Sequence, residues 1–312
     1  MNIKKIGLTA LAASLVSVSA YAGEMSVAGG ASATLKNNSG TDGGKSITMG
    51  NQLTFSGGGE LDNGLNVALS FVLDHADNVA SGFDSHSITV SSDSLGSITV
   101  AGDGTGNAQS ALDTTAAGDI WDNGFTYTGA NTAYTAMGGS DANNNKSINY
   151  TLPTLMDDLS VAVSYSGQTT ATNSTTAFGV TYTGVEGLSV SYGVGEAGST
   201  TTTSQADVTT MKASYAIGSF TAAVSNTEND RGSTGVDEEM SSWKLSYTVT
   251  DDLSVSYGEE THETSAQSVD EEFDAISVSY TTGGMTITAA QYNATGLNNT
   301  AGTTGEAARW KL

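Results

Sequence analysis

The chain of 312 residues has no cysteine, a single proline and only 10 basic residues. Without cysteine there are no disulfide staples and no thiolate metal sites. Those 10 basic residues face 33 acidic ones, for a formal charge of −23. Nucleic acid is therefore excluded as a partner, because its phosphates require clustered Lys and Arg. Charge of either sign is sparse, at 14% of residues. Long hydrophobic runs are missing as well: no segment approaches the ~20 consecutive apolar residues of a transmembrane helix.

The first 22 residues are not part of a fold. Lys4 and Lys5 form a positive start, Ile6–Val18 a short apolar stretch, and Ala20-Tyr21-Ala22 a small-x-small cleavage site. This is the layout of a secretory signal peptide. Residues 23–312 then read as one exported domain.

From Glu24 onward the dominant periodicity is two. In Leu159-Ser-Val161-Ala-Val163-Ser-Tyr165 the odd positions are bulky and apolar and the even ones small. The pattern returns in Leu188–Val194, Trp243–Val249, Leu253–Tyr257 and Ile276–Tyr280. A helix would scatter such residues around its surface, whereas a strand gathers them on one face.

The connections between alternating segments fall into two classes that take turns. Short ones are 61–64, 93–96, 153–158, 184–187, 218–219, 251–252 and 283–284; longer polar ones are 37–45, 75–85, 102–146, 167–174, 196–206, 227–238, 261–270 and 295–305. Seven short and eight long connections imply about sixteen strands, the even number of a single-chain bacterial barrel. Pro153 falls in a short turn, where no ladder hydrogen bond is lost.

The second face decides the environment. A soluble barrel or sandwich would cover that face with charge. Here it is Ser, Thr, Ala and Gly, with Lys212, Lys244 and Lys311 as the clearest exceptions. An inverted barrel accounts for this, apolar towards lipid and polar towards water. Tyr182, Tyr215, Tyr247 and Tyr280 lie near short turns, and Tyr165, Tyr192 and Tyr257 towards long loops, as two interfacial girdles would. The fold class is thus all-β, a transmembrane antiparallel barrel. A secreted or surface-bound β-rich adhesin is the alternative, because alternation alone does not prove closure.

One connection, Gly102–Lys146, is far longer than the rest. Structureless loops beyond ~12–15 residues are uncommon and usually functional. The expectation is a constriction loop folded into the lumen, with a short helical turn at Asn107–Leu112. It carries Asp103, Asp113, Asp119 and Asp122 and no Lys or Arg before Lys146. Fixed charge of one sign in a narrow, low-dielectric passage concentrates counter-ions, here cations. Lys212, Lys244, Arg309 and Lys311 share lumen parity and supply an opposing basic wall.

The run Ser87–Gly104, SITVSSDSLGSITVAGDG, resembles the fourth and fifth strands of general diffusion porins, the alphaproteobacterial type especially. There, a glycine-containing turn, a strand and a glycine lead into the constriction loop; here they are Gly96, Ser97–Ala101 and Gly102. The resemblance implies a homotrimer in the Gram-negative outer membrane, in contact with lipopolysaccharide, passing small hydrophilic solutes and ions without a cofactor. Two departures stand out. Many members carry a basic residue where this chain has Asp103. Porins also normally end on an aromatic residue, whereas Arg309-Trp-Lys-Leu312 breaks off in mid-alternation and reads as a truncated last strand.

The remaining acidic clusters, Asp237-Glu238-Glu239, Glu259-Glu260, Asp270-Glu271-Glu272 and Asp274, read as a solvated loop rim or as sites for divalent cations. His75 and His262 read as exposed loop histidines. Enzyme signatures fail: Gly102-x-Gly104-x-Gly106 lacks a third glycine in place, and a calcium loop starting at Asp103 would meet Thr114 at position twelve.

Overall fold

A computed structural model describes residues 25–39, 44–74, 85–103, 106–109, 112, 116–117, 120, 147–167, 174–197, 206–230 and 236–312. The signal peptide at 1–22 lies outside them. Alternation becomes sixteen strands: β1 Met25–Ser39, β2 Gly44–Glu60, β3 Asn66–Asp74, β4 Ser85–Ser92, β5 Gly96–Asp103, β6 Ser147–Thr151, β7 Leu159–Ser166 and β8 Thr175–Val185. The second half is β9 Leu188–Ala197, β10 Ala206–Ile217, β11 Phe220–Asp230, β12 Glu238–Thr250, β13 Leu253–Thr264, β14 Glu271–Thr282, β15 Met285–Thr295 and β16 Thr304–Lys311. Each pairs antiparallel with its neighbours, and β16 returns to β1 to close the barrel. The seam runs from Ser39↔Glu306 to Thr34↔Lys311, extended by two hydrogen bonds of 2.9 Å between Ala33 and Leu312. Closure leaves no strand edge in hydrocarbon, where an unpaired backbone group costs several kcal/mol.

The short connections are tight turns as expected. Gly96 and Gly187 take positive φ of 75° and 77°, a conformation that L side chains rarely adopt. Strands are longer than alternation alone indicates at the opposite end, so several residues expected in loops belong to the ladder. The glycine pairs Gly29-Gly30 and Gly57-Gly58 sit in unshifted register rather than at bulges.

Faces separate cleanly. Val224 and Ile276, each 55% exposed, point outward, and so do all seven girdle tyrosines: Tyr165, Tyr182, Tyr192, Tyr215, Tyr247, Tyr257 and Tyr280. The inward face is stitched by hydroxyls across strands: Thr89–Thr99 at 2.8 Å, Thr181–Ser191 at 2.9 Å, Ser256–Ser277 at 2.7 Å and Ser279–Thr288 at 3.2 Å. Such pairs add to ladder stability while presenting oxygen to water. This explains the chain's abundance of small hydroxyl residues at every second position.

Val278 lies outward between the two girdles, opposite Val255 and Ala289, and its neighbour Ser277 lies inward. Val278→Arg should destabilise the refolded barrel by ~2–4 kcal/mol, the penalty for a cation near the bilayer midplane. Ser277→Arg should cost far less. Urea unfolding in lipid vesicles measures both, and equal losses would reverse the assignment of faces.

Candidate functional site: the inner wall and its loop

The long loop leaves the wall at a close approach. A Cβ on Gly102 would run into the imidazole of His86, beside a register shift between His86 and Ser87. Asp103 pairs with His86 in the ladder. Asp113, Asp119 and Asp122, expected at the constriction, lie outside the described residues, as does all of 121–146.

The described part of the loop hugs the inner wall, strand after strand. Asn149 on β6 donates its side-chain amide to the Gly106 carbonyl at 3.1 Å. Ala108 donates its backbone N–H to the Ser164 hydroxyl on β7 at 2.8 Å. Its carbonyl fits over Gly179 on β8, where any Cβ would collide. Gln109 rests against Gly193 and Gly195 of β9 and donates its side-chain amide to Thr210 on β10 at 2.8 Å.

Further along, the Ala116 N–H reaches the hydroxyls of Ser225 on β11 and Ser242 on β12, at 2.8 and 2.6 Å. Ala117 sits against Gly258 on β13, next to Lys244. Ile120 donates its N–H to Glu260 on β13 at 3.0 Å, and its side chain joins Phe273, Tyr292, Ala294 and Ala307 in an apolar seat on β14–β16. From β6 to β13 the wall spans about 34 Å at ordinary strand spacing. Residues 106–120 can reach at most about 50 Å fully extended, enough to cross that span with slack to spare. Of the helical turn expected at Asn107–Leu112, the described residues show two contacts, the Asn107 side chain capping Gln109 N–H at 2.9 Å and Leu112 N–H donating to the Gln109 carbonyl at 3.0 Å, while 110 and 111 lie outside the described residues.

This seating depends on the wall. A loop backbone has no ladder of its own, and its buried N–H groups need acceptors. Ser164, Ser225, Ser242 and Glu260 provide them. Gly179, Gly193, Gly195 and Gly258 provide the clearance.

Several acidic residues are not where the loop-rim reading put them. Glu238 belongs to β12, Glu260 to β13 and Glu271 to β14; all face inward and are at most 3% exposed. Glu239, Glu259, Glu272 and Asp274 belong to the same strands and face outward. Glu259 and Asp274 are directly opposed, and Glu259 accepts from Tyr257 at 2.8 Å and Trp243 at 3.1 Å. His262, expected in an exposed loop, is fully buried on β13, with Nε2 2.5 Å from Glu260 Oε1. The cause is strand length. The ladder continues past the bilayer zone, so alternation persists after bulky residues have given way to charged ones. His75 lies outside the described residues.

Lys212, Lys244, Arg309 and Lys311 all face the lumen by register, as parity suggested. They do not form one wall. Lys212 and Lys244 lie on β10 and β12, whereas Arg309 and Lys311 lie on β16. Lys36 on β1 is directly opposite Arg309 and was not singled out from sequence, although it shares parity with Thr34 on the same strand. Against the wall of β1–β4, where no described loop residue is seated, lies a cavity of about 530 Å³ lined by Ser26, Ser56, Ser70, Ser87 and Thr89 among others. Among the described residues the arrangement is a tube with a strap along one side and a hydroxyl-lined wall along the other.

A model of the family described as Gram-negative porin matches residues 7–307. No curated protein sequence matches the chain significantly. Among solved structures, the chain is similar to an anion-selective porin from Comamonas acidovorans, with TM-score 0.67 and 16% identity over 92% of this chain and 98% of that one. It is also similar to a trimer form of the outer-membrane protein OmpT of Vibrio cholerae, with TM-score 0.64 and 15% identity over 92% and 99%. A mutant of the Rh. blastica porin gives TM-score 0.62 and 14% identity over 93% and 99%. At these identities the likeness speaks for the fold.

Glu260→Ala should leave the barrel folded and free the loop. The Ile120 N–H would lose its acceptor, a loss of ~1–3 kcal/mol for a buried donor. Single-channel recording should then show larger open-state current fluctuations. Noise unchanged from the parent would mean that this contact does not hold the loop.

Proposed function

The chain belongs to the Gram-negative porin family, outer-membrane diffusion channels, and from that premise we propose a passive, cation-preferring pore without catalytic activity or cofactor. The observation that carries the reading is the strap of 106–120 held along the inner wall. It belongs to a connection whose charged residues before Lys146 are all carboxylates, Asp103, Asp113, Asp119, Asp122 and Asp141. In a passage about as wide as the screening length at ordinary salt, ~8–10 Å, such charge biases every permeating ion.

Residues 1–22 direct export and are then removed, and the working unit is a homotrimer surrounded by lipid and lipopolysaccharide. Small hydrophilic solutes diffuse through each protomer. The soluble-adhesin reading has no support from a barrel whose bulky side chains face outward. The name of the anion-selective relative does not decide this chain's preference, because a shared fold does not fix the charges along its lumen.

Reversal potentials across planar bilayers under a KCl gradient test the preference. Potassium should permeate more readily than chloride, and Asp113→Asn with Asp119→Asn should reduce that bias while conductance persists. Chloride preference in the parent, or a bias untouched by the double substitution, would overturn the assignment of selectivity to the loop.

A further inference from the structure

On the outer surface, one cross-strand row marks where apolar side chains give way to charged ones. It runs Val224, Trp243, Glu259, Asp274, Asn293 and Glu306 across β11–β16 in continuous register. The row beneath it, Leu245, Tyr257 and Ile276, is bulky and exposed towards lipid. Both rows lie towards the long connections, the extracellular side of such barrels.

At the centre of the upper row Glu259 and Asp274 face each other, and like charges directly opposed across strands are destabilising. Neither has a basic partner among the described residues. Neutral donors hold them instead: the Tyr257 hydroxyl and the Trp243 indole N–H on Glu259, and the Asn293 amide on Asp274 at 2.8 Å. Those bonds fix the carboxylates in place and leave their charge uncancelled. The outward positions of β11–β14 carry no Lys or Arg that could cancel it. Beside the pair stand the rings of Trp243 and Tyr257, their centroids 5.5 Å apart and their planes inclined by 58°. They are 39% and 37% exposed on the lipid side.

We propose that this cluster binds the headgroup of an ammonium-bearing lipid. Ring faces attract an organic cation through their quadrupole, indole most strongly. The adjoining carboxylates supply the opposite charge at the depth where headgroups begin. Acyl chains of the bound lipid then lie over Leu245 and Ile276, immediately below. The chemistry favours an organic cation over a bare metal ion. Hard divalent ions collect several oxygen ligands, and no group of three or more acidic or histidine side chains converges among the described residues to supply them. The inference rests on the outward orientation of these strands and is independent of what the pore conducts.

The test reconstitutes the full barrel in lipid vesicles. Trp121→Phe with Trp310→Phe leaves Trp243 as the single indole reporter, since the chain has three tryptophans. The vesicles are digalactosyl diglyceride doped with a brominated lipid, either phosphatidylcholine or digalactosyl diglyceride itself. Both are without net charge, and only the first bears an ammonium. Bromine on the acyl carbons nearest the headgroup should quench Trp243 ~2–5-fold more from phosphatidylcholine, the partition that an exposed cation–π contact sustains. Glu259→Gln with Asp274→Asn should bring the two lipids level, and Tyr257→Leu should fall between. Glu228→Gln with Glu239→Gln removes another directly opposed outward pair, one held by no aromatic donor, and should leave the preference intact. EDTA should change nothing; a preference lost in EDTA would overturn the proposal in favour of a divalent ion bridging carboxylate to phosphate. Equal quenching by both lipids in the parent, or equal loss in the two double variants, would also overturn the site. Heat-modifiable migration confirms that each barrel compared is folded, and KCl conductance, which this surface does not line, reports on the pore separately.

Discussion

Backbone hydrogen bonding in a medium without water is the constraint from which the rest follows. Hydrocarbon offers no partner to an N–H or a carbonyl, so a spanning sheet must close on itself. The seam between β1 and β16 accomplishes this, from Ser39↔Glu306 down to the Ala33–Leu312 pair. Once closure is imposed, each strand has one face in lipid and one in water. The period-two pattern is the direct consequence, with Val, Ile, Leu and Tyr outward and Ser, Thr, Gly and Ala inward. The inward hydroxyls bond across strands, so even the polar face adds cohesion before any solute arrives.

The inner face then acquires a second role, as a track for the loop. A strap of backbone without its own ladder can lie against a wall only where the wall supplies acceptors and clearance. Ser164, Ser225, Ser242 and Glu260 meet loop N–H groups, and glycines on β8, β9 and β13 leave room for the strap. Replacing these small residues with branched ones would preserve the barrel's closure and remove the loop's seat. Barrel stability and pore geometry are thus encoded in different subsets of the same strands.

Strand number, topology, the orientation of faces and the place of the aromatic girdles were legible from alternation and turn chemistry, because closure enforces both. The long connection was legible from length, while the acidic constriction expected in it, at Asp113, Asp119 and Asp122, lies outside the described residues. What escaped was the upper reach of β11–β14. Hydrophobic alternation reports where lipid ends, while the ladder continues above that level with Glu238, Glu239, Glu259, Glu260 and Glu271 in strand positions. Charge was a poor guide to exposure there, since Glu260 lies behind the loop and Glu271 behind Asn298 of the β15–β16 connection. His262 looked like a solvated loop residue and is buried beside Glu260 for that reason. Extending even parity along β13 from Ser254 and Ser256 would have placed both inside. Lys36 escaped similarly, being near the end of a strand whose turn was set too early.

These burials bear on how the lumen's charge should be counted. Described carboxylates at Glu238, Glu260 and Glu271 face inward but are engaged with backbone and side-chain donors: Ile120 N–H and His262 for Glu260, Asn298 N–H for Glu271 and Asn229 for Glu238. A carboxylate removed from water carries a large desolvation penalty in its charged form unless such donors compensate it. It then acts mainly as a structural acceptor, and Glu260 in addition is covered by the strap it holds. Lys36, Arg309 and Lys311 line the wall below that strap, on the passage side. Net charge of the chain, −23, therefore says little about the field along the lumen, because part of that charge is buried in the wall and part is opposed by these cations.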